Sequence, residues 1–370
     1  MMGGNDHEGK ILWIGGTSSL TRTFVGSQLI DPSRLVLVGL EPLPPMWVPA
    51  SSQYVRCDLT TVTDNQARTL IQQFANDVSS IVIGVRPLLF APYTSETMAM
   101  LLLQGVEKLL RIAAQILLPS TLKMVLHISS VAAMDHLRAQ IFLSESEPYP
   151  PIAEYHASYD KFKRHSEESI SAIFESSGVA VCHLRLSAIF SDDATCIQCS
   201  ALKLQSRVGC FLPIPIDCNS SFNVSRAIHA MLRQVTEDAT KIQPTYYYTR
   251  PISLKRPVPY GYYLKEYRKA YHLNDFNSIW IPFWVITMVV ALVHWLAWWN
   301  HFFQIPYLDA IDYLLQVSSH EHSFDCSRIA QDFSCLEQDE ESILECFVRR
   351  KQILEIGDRQ SNCNSHQKLE

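Results

Sequence analysis

Short apolar runs alternate with segments that carry apolar residues at helical spacing over the first part of the chain. The runs predict strands at residues 11–14, 35–40, 53–57, 80–85, 123–128 and 179–184. Strands that alternate with helices are typical of an α/β fold, in which helices cover both faces of a parallel sheet. We therefore predict a sheet lobe that spans residues 10–190.

The pattern becomes less regular after this lobe. We predict a smaller C-terminal lobe for residues 191–356, which would hold a substrate. Residues 1–9 and 357–370 are mostly polar, and we expect them to form disordered tails.

One stretch of the second lobe, residues 279–303, is almost entirely apolar and carries no charged side chain. It is long enough to cross a bilayer, which takes roughly 20 residues, and it has tryptophans toward both ends, as interfacial segments do. Three interpretations are open: a membrane span, partial insertion into one leaflet, or a buried helix pair that covers an apolar pocket.

Composition narrows the class of protein. The chain has 370 residues, of which 47% are hydrophobic and 18% are charged, so it can bury a large core. The net charge of -6 provides no basic surface, which argues against a nucleic-acid partner.

The 10 cysteines show no regular framework, which indicates reduced thiols in a cytosolic setting. Cys196 and Cys199 have the C-x-x-C spacing of zinc ligands. The next cysteines along the chain, Cys210 and Cys218, do not form a second close pair, so we expect no metal site.

A turn of small residues follows the first predicted strand and precedes a helical pattern. Gly15, Ser18 and Thr21 mark this turn, and Glu41 ends the second strand. A strand, such a turn and a helix begin a nucleotide-binding βαβ unit, where the helix N-terminus holds a pyrophosphate and an acid about 20 residues on holds the ribose. An ordinary α/β turn with a solvent-facing Glu41 explains these residues equally well.

Tyr159 and Lys163 are four residues apart in a helical pattern, so both project from one face. A neighbouring ammonium stabilises a phenolate, and a tyrosine whose pKa is lowered in this way can take the proton from an alcohol. The spacing alone is common, and an ordinary half-buried aromatic residue would fit it too.

Seven motifs occur in an order that resembles the extended short-chain dehydrogenase/reductases, in particular the branch of 3β-hydroxysteroid dehydrogenase/isomerase and sterol-4α-carboxylate 3-dehydrogenase. The resemblance covers about residues 10–354. The motifs lie at residues 81–85, 104–110, 125–130, 159–163, 183–190, 222–227 and 322–330. The resemblance implies a Rossmann-type doubly wound parallel sheet, with a smaller C-terminal substrate lobe that includes the apolar helical segment.

The resemblance also implies a catalytic set. Tyr159 would be the general base and would also contact the cofactor, and Lys163 would lower the pKa of Tyr159 and bind the nicotinamide ribose. Ser130 would hold the substrate oxygen, and Ser129 is the alternative.

For the cofactor, the family pattern G-x-x-G-x-x-G is met only by Gly15, because Ser18 and Thr21 occupy the other two positions. A Cβ at Ser18 is expected to weaken or shift the pyrophosphate. Asp58 resembles the acid beside the adenine, although a turn-forming or helix-capping aspartate fits as well.

NAD is expected over NADP for two reasons. Glu41 would repel a 2′-phosphate, and residues 42–45 contain no arginine to bind one. Arg22 is the one residue that complicates this choice.

Together these expectations describe an NAD-dependent dehydrogenase. It would oxidise a secondary ring hydroxyl of the 3β type on a sterol, triterpenoid or similar polycyclic lipid, and a 4-carboxylate next to the new ketone would be lost as CO2. The alternatives are a non-catalytic dinucleotide-binding sensor or scaffold, and a nucleotide-sugar epimerase or reductase on the same fold.

The resemblance places residues 324–330 in the same folded unit as the sheet, and a full span at 279–303 would separate them. We therefore expect partial insertion into the endoplasmic reticulum or another intracellular membrane, with the catalytic lobe in the cytosol. A cytoplasmic protein is the alternative location, and a homodimer is one expectation for the assembly.

Overall fold

The structure is a computed structural model, and it covers most of both predicted lobes. It describes residues 9–85, 87, 96–117, 121–134, 139–155, 157–192, 196–208, 210–211, 215–273, 279–280, 285, 288–289, 291–293, 295–296, 299 and 321–366. The predicted tail at residues 1–9 lies outside the described residues except for Gly9.

The strands are β1 Lys10–Ile14, β2 Leu35–Gly39, β3 Gln53–Arg56, β4 Val78–Ile83, β5 Met124–Ser130, β6 Gln140–Leu143, β7 Ala180–Leu186, β8 Ala188–Phe190, β9 Cys210–Phe211, β10 Pro215–Ile216, β11 Cys218–Ser220, β12 Thr245–Tyr247, β13 Val258–Pro259, β14 Ile279–Trp280 and β15 His322–Phe324. The helices are α1 Ser19–Gly26, α2 Asp64–Gln72, α3 Glu96–Leu117, α4 Ser158–Phe174, α5 Ile197–Val208, α6 Ser221–Asp238, α7 Tyr260–Ala270, α8 Ser327–Asp332, α9 Cys335–Gln338 and α10 Ile343–His366.

A parallel sheet of seven strands in the order β12-β7-β5-β4-β1-β2-β3 forms the first lobe. The chain starts in the middle and winds outward in both directions, so the order reverses between β1 and β4. The predicted α/β fold with a doubly wound parallel sheet is therefore confirmed. Every residue of β2, β4 and β5 is buried, which explains why apolar side chains predominate in these strands.

Two cores lie against the two faces of the sheet. In β1, Ile11 and Trp13 pack in one core, and Leu12 and Ile14 pack in the other. Helices α1 and α6 cover the first face, and α2, α3 and α4 cover the second.

The seventh strand, Thr245–Tyr247, is absent from the predicted strands and follows residue 190. It has three residues, which is too short for an alternating pattern to be recognised. The boundaries of the two lobes and of the tail at residues 357–370 stay predictions, and α10 itself runs to His366.

The second lobe has its own core. Side chains from α5, α7 and α10 meet there around Phe190 and Tyr263. The closing segment of the chain returns to the first lobe, because Phe324 and Ile329 are fully buried in the core that contains β5 and α6.

The apolar stretch at residues 279–303 is described only in part. Ile279–Trp280 pairs in parallel with Cys210–Phe211. Helical positions further along expose a row of apolar side chains: Met288, Val289, Leu292, Trp295, Leu296 and Trp299. Within the described part of the chain, no helix is both long enough and apolar enough to cross a membrane.

Candidate active site

The site lies where the order of the sheet reverses. In open parallel sheets, ligands bind beyond the carboxyl ends of the strands at this point. The turn after β1, the end of β4 and the end of β5 meet here, and α4 follows β5 across this edge.

Gly15 gives the turn after β1 a left-handed backbone conformation, which is energetically unfavourable for residues with a side chain. Its φ is 82°, and a Cβ would lie 2.9 Å from the carbonyl carbon of Gly84. The amides of Gly15 and Gly16 both donate to the carbonyl of Val38, at 3.0 and 2.8 Å. The turn is therefore fixed between the ends of β2 and β4, with no side chain between its backbone and the next strand.

The side chains of Ser18 and Thr21 form a hydrogen bond with each other. Ser18 caps α1, and its hydroxyl accepts from the Thr21 amide at 3.2 Å and lies 2.8 Å from the Thr21 hydroxyl. Thr21 is fully buried, so it fills the space that a glycine would leave between helix and strand. The departure from the glycine pattern thus has a structural role as a helix cap.

Glu41 lies next to this turn. A Cβ at Gly39 would come within 2.5 Å of the Thr17 methyl group and 3.0 Å of the Glu41 carboxylate, so these two side chains meet over the end of β2. Tyr54 donates to the carboxylate at 3.3 Å and to the Glu41 carbonyl at 2.9 Å. Burial and the adjacent Glu41 charge raise the pKa of Tyr54 to about 12. The arrangement leaves a carboxylate beside the turn, as the sequence predicts.

Asp58 forms a turn. One oxygen of its carboxylate accepts from the Thr60 hydroxyl at 2.7 Å and from the Thr60 amide at 2.9 Å. The hydrogen bond from the Thr60 hydroxyl is the main reason that the pKa of Asp58 lies below its usual value. Helix α2 is capped by Thr63, so Asp58 is a turn former and not a helix cap; a role beside the adenine stays a prediction.

The two serines that end β5 have different partners. Ser129 donates to a carboxylate oxygen of Glu167 at 2.5 Å, whereas the Ser130 hydroxyl accepts from the Ala132 amide at 3.2 Å. Successive residues of a strand point to opposite faces. Ser129 is therefore bonded to the buried Glu167 carboxylate of α4. Ser130, the last residue of β5, bonds instead to the turn that begins after the strand.

Lys163 is buried, with 3% of its surface exposed, and its ammonium has fixed partners. It donates to the carbonyl of Ile128, near the end of β5, at 3.0 Å and to the carbonyl of Val85, two residues after β4, at 3.3 Å. The ammonium lies 6.0 Å from the centre of the Tyr159 ring. The fold therefore brings Tyr159, Lys163 and the end of β5 together, as the sequence predicts.

An ion pair beneath this group is not predicted from the sequence. Glu167 is 1% exposed, lies one turn after Lys163, and pairs with Arg185 of β7 at 2.7 Å. Tyr149 donates to the same carboxylate, and Arg185 donates to the Tyr247 hydroxyl at 2.9 Å. Burial alone would raise the pKa of Glu167, but the Arg185 guanidinium and its hydrogen bonds hold it below the usual value.

One signal for this ion pair is present in the sequence. Tyr159, Lys163 and Glu167 follow one another at steps of four residues, which places them on one helix face. The partner could not be found in this way, because Arg185 reaches Glu167 only through the pairing of β5 with β7.

Two histidines extend the polar layer along the same strands. His127 and His183 face each other with their Nδ1 atoms 3.2 Å apart, and the other ring nitrogen of His183 lies 2.8 Å from the Ser171 hydroxyl. Burial is the main cause that lowers the pKa of both histidines. They are therefore neutral in the folded protein near pH 7.

No family model matches the sequence, and no curated protein is detectably similar to it. Solved structures are similar over nearly the whole chain. A short-chain dehydrogenase/reductase superfamily protein from Agrobacterium tumefaciens with bound NAD is 12% identical, with 97% of this chain and 99% of that chain covered and a TM-score of 0.63.

Two further solved structures resemble this chain to about the same extent, and they are enzymes with different activities. UDP-glucuronic acid 4-epimerase from Bacillus cereus, in complex with NAD, is 12% identical, with 94% of this chain and 99% of that chain covered and a TM-score of 0.62. L-threonine dehydrogenase from Phytophthora infestans is 14% identical, with 95% and 99% covered and a TM-score of 0.63. This chain shares their fold. At such identities the fold is all that is shown, and the site has to support any activity.

Proposed function

We propose that this protein is an NAD-dependent oxidoreductase that oxidises a secondary alcohol to a ketone. The observation that carries the proposal is the buried Lys163 ammonium, held by the carbonyls of Ile128 and Val85 beside Tyr159. Desolvation of a buried cation is costly, and a phenolate at Tyr159 would offset part of that cost. The same cation would in turn stabilise the phenolate.

Three residues have separate roles in this proposal. Tyr159 takes the proton from the substrate hydroxyl as a general base. The Lys163 ammonium, 6.0 Å from the centre of the Tyr159 ring, favours the phenolate form by its charge. Ser130 donates a hydrogen bond to the substrate oxygen, and the engagement of Ser129 by Glu167 supports this choice between the two serines.

The turn after β1 fits a dinucleotide. Gly15 lets the turn pack against the backbone of Gly84, where a Cβ would clash, α1 begins beside the turn, and Glu41 supplies a carboxylate for the ribose. The carboxylate favours NAD over NADP, and two of the similar structures contain NAD. When bound, NAD would accept the hydride from the substrate carbon. The residues proposed to hold it are Gly15, Ser18, Thr21, Glu41 and Asp58, together with Tyr159 and Lys163.

For the substrate we propose a polycyclic lipid with a ring hydroxyl of the 3β type, such as a sterol or triterpenoid. The resemblance to the 3β-hydroxysteroid dehydrogenase branch supports this class. The exposed apolar helical positions within residues 279–303 support it as well, because a substrate that partitions into lipid favours an enzyme that contacts lipid.

The same positions support contact with a membrane surface. Trp295 and Trp299 are 56% and 36% exposed, and neither has a charged neighbour in this stretch of sequence. Phe324 and Ile329 pack in the core of the sheet lobe, which favours partial insertion over a full span. We propose an intracellular membrane as the location.

A nucleotide-sugar epimerase is the second candidate, because the Bacillus cereus epimerase matches this chain across both lobes. The apolar stretch argues against it, since a sugar nucleotide gains nothing from an apolar surface. A non-catalytic dinucleotide sensor would need no buried lysine beside a tyrosine.

The test is the formation of NADH by the purified full chain with three substrates: a 3β-hydroxysteroid, a 4-carboxysterol and a UDP-sugar. We expect NADH with a polycyclic alcohol, less with NADP, and none with the UDP-sugar. Epimerised UDP-sugar would instead support the second candidate. Binding of NAD by folded protein without turnover of any substrate would contradict both and leave the sensor.

A further inference from the structure

Four cysteines lie together in the core of the second lobe, away from the candidate active site. Cys196, Cys199, Cys218 and Cys346 are all buried, and Cys196 is the most accessible of them at 7% exposed. Cys196 immediately precedes α5, and Cys199 lies in the first turn of this helix. This C-x-x-C pair, which lacks a second pair of cysteines to complete a zinc site, therefore has a defined position at the start of α5.

Three of these thiols contact one short stretch of backbone. Cys196 donates to the carbonyl of Ile189 at 3.8 Å, and Cys199 donates to the carbonyl of Ser191 at 3.8 Å. Cys346, from α10, donates to the carbonyl between them at 4.0 Å. The stretch begins in β8, so the thiols gather where the chain leaves the sheet lobe and enters the second lobe.

Cys196 and Cys199 also interact directly. The Cys199 amide donates to the Cys196 sulfur at 3.4 Å. The interaction with the Cys199 side chain is the main cause that lowers the pKa of Cys196 to about 6, and the same interaction together with burial raises the pKa of Cys199. Amides in the first turn of a helix favour a thiolate, as in other C-x-x-C sites.

The surroundings of the Cys196–Cys199 pair favour thiol chemistry over metal binding. Arg350 donates to the Ser191 carbonyl at 3.1 Å, and its positive charge favours the thiolate form of the neighbouring Cys199. Among the described residues there is no group of three or more cysteine, histidine or carboxylate side chains that could hold a metal ion. A structural zinc ion takes four ligands, so thiol chemistry is the better explanation.

We propose that Cys196 and Cys199 form a redox-active dithiol that small hydroperoxides oxidise to a disulfide. Cys196 is the thiol that reacts first, and Cys199 is the resolving thiol. This proposal does not depend on the proposed dehydrogenase activity.

The chemistry balances with hydrogen peroxide as the oxidant. The Cys196 sulfur attacks one peroxide oxygen, the O–O bond breaks, and the other oxygen leaves as water, so that Cys196 becomes a sulfenic acid. The Cys199 sulfur then attacks the Cys196 sulfur, the S–O bond breaks, and a second water leaves with the Cys199 proton. Two thiols lose two electrons and two protons in all, and a thiol reductant such as glutathione returns them.

The test uses the reduced full chain treated with one equivalent of hydrogen peroxide, then alkylated and analysed by peptide mass spectrometry. We expect the peptide that carries Cys196 and Cys199 to be lighter by two hydrogens and to resist alkylation until it is reduced. Cys335 is exposed, and a Cys335→Ser variant should form the same disulfide, which excludes a requirement for that thiol.

Two variants assign the order of the steps. In Cys199→Ser, a sulfenic acid should persist at Cys196 and be trapped by dimedone; in Cys196→Ser, dimedone should not label Cys199. Oxidation at Cys335 with Cys196 and Cys199 still reduced in the unmodified chain would overturn the proposal, and so would a disulfide between Cys199 and Cys346. One zinc ion per purified chain that protects both thiols would overturn it too. The unmodified chain decides these outcomes, so the test holds if a variant fails to fold.

Discussion

The turn after β1 and the end of β5 lie at the same edge of the sheet but are built from contacts of different range. In the turn, Ser18 bonds Thr21, three residues away. At the end of β5, Ser129 bonds Glu167, which is 38 residues away, and Lys163 bonds Val85, which is 78 residues away. The helix cap in the turn is a local structure, whereas the end of β5 depends on contacts across the whole fold for its position. Substitutions in the two regions should therefore differ in their effects on turnover, NAD affinity and the free energy of unfolding.

The largest effect is expected from Tyr159→Phe. Removal of the general base should lower the rate of alcohol oxidation by about 100- to 10,000-fold, with NAD affinity retained. Steady-state rates and NAD titration check this outcome. Tyr155→Phe is a matched control: it loses a buried hydrogen bond to the Ala133 carbonyl, so it should cost stability and not rate. A Tyr159→Phe enzyme within severalfold of the original rate would remove Tyr159 from the mechanism.

Glu167→Gln should cost the most stability of the single changes at this edge. It leaves the buried Arg185 guanidinium without a charged partner, which should lower the free energy of unfolding by about 3–5 kcal/mol. The control Glu237→Gln removes an exposed pair with Arg233 on α6 and should cost less than about 1 kcal/mol. Urea unfolding measures both, and equal losses would show that the network around Glu167 does not hold this region.

The two serines should separate rate from stability. Ser129→Ala removes a hydrogen bond to the ionised Glu167 and should cost about 1.5–3 kcal/mol of unfolding free energy with little change in turnover per folded molecule. Ser130→Ala should do the opposite and lower the rate. If Ser129→Ala lowers the rate and Ser130→Ala does not, the two assignments are reversed.

Gly15→Ala tests the turn after β1 against a glycine of similar conformation. Gly15 and Gly178 have φ values of 82° and 73°, but only Gly15 has backbone atoms within reach of a Cβ. Gly178→Ala should cost about 1–2 kcal/mol of unfolding free energy, and Gly15→Ala roughly 1–3 kcal/mol more. Gly15→Ala should also weaken NAD binding, which calorimetry measures. Equal NAD affinity in both variants would place the cofactor elsewhere.

The smallest effect concerns pH and belongs to the end of β5. The pKa of His127 and that of His183 are lowered in the folded chain, so the unfolded chain binds more protons as the pH falls. The contribution of these histidines to the free energy of unfolding should therefore be fully present above about pH 6.5. Below that pH it should decrease by on the order of 1 kcal/mol per histidine for each pH unit. His127→Asn should flatten this slope. Unfolding curves of both proteins at several pH values measure the slope, and an unchanged slope in His127→Asn would contradict the prediction.

Much of the first region can be predicted because its determinants are close in sequence. A run of buried apolar residues, a positive-φ glycine and a helix cap at Ser18 occur within a few residues of each other, and Glu41 follows at the end of the next strand. The same local logic predicts six strands of the sheet and the helix that carries Tyr159 and Lys163. It misses Thr245–Tyr247, a strand defined by its pairing with β7 and not by its own pattern.

By itself, the sequence determined the α/β alternation, the nucleotide-type turn and the spacing of Tyr159 and Lys163, because each depends on residues within one or two turns of chain. Only the tertiary structure decided what surrounds them. Three sets of contacts join segments far apart in sequence: the carbonyls that hold Lys163, the Glu167 carboxylate that engages Ser129, and the approach of Cys346 to the segment that carries Cys196 and Cys199. Such contacts follow from strand order and helix packing, which no local pattern of residues records.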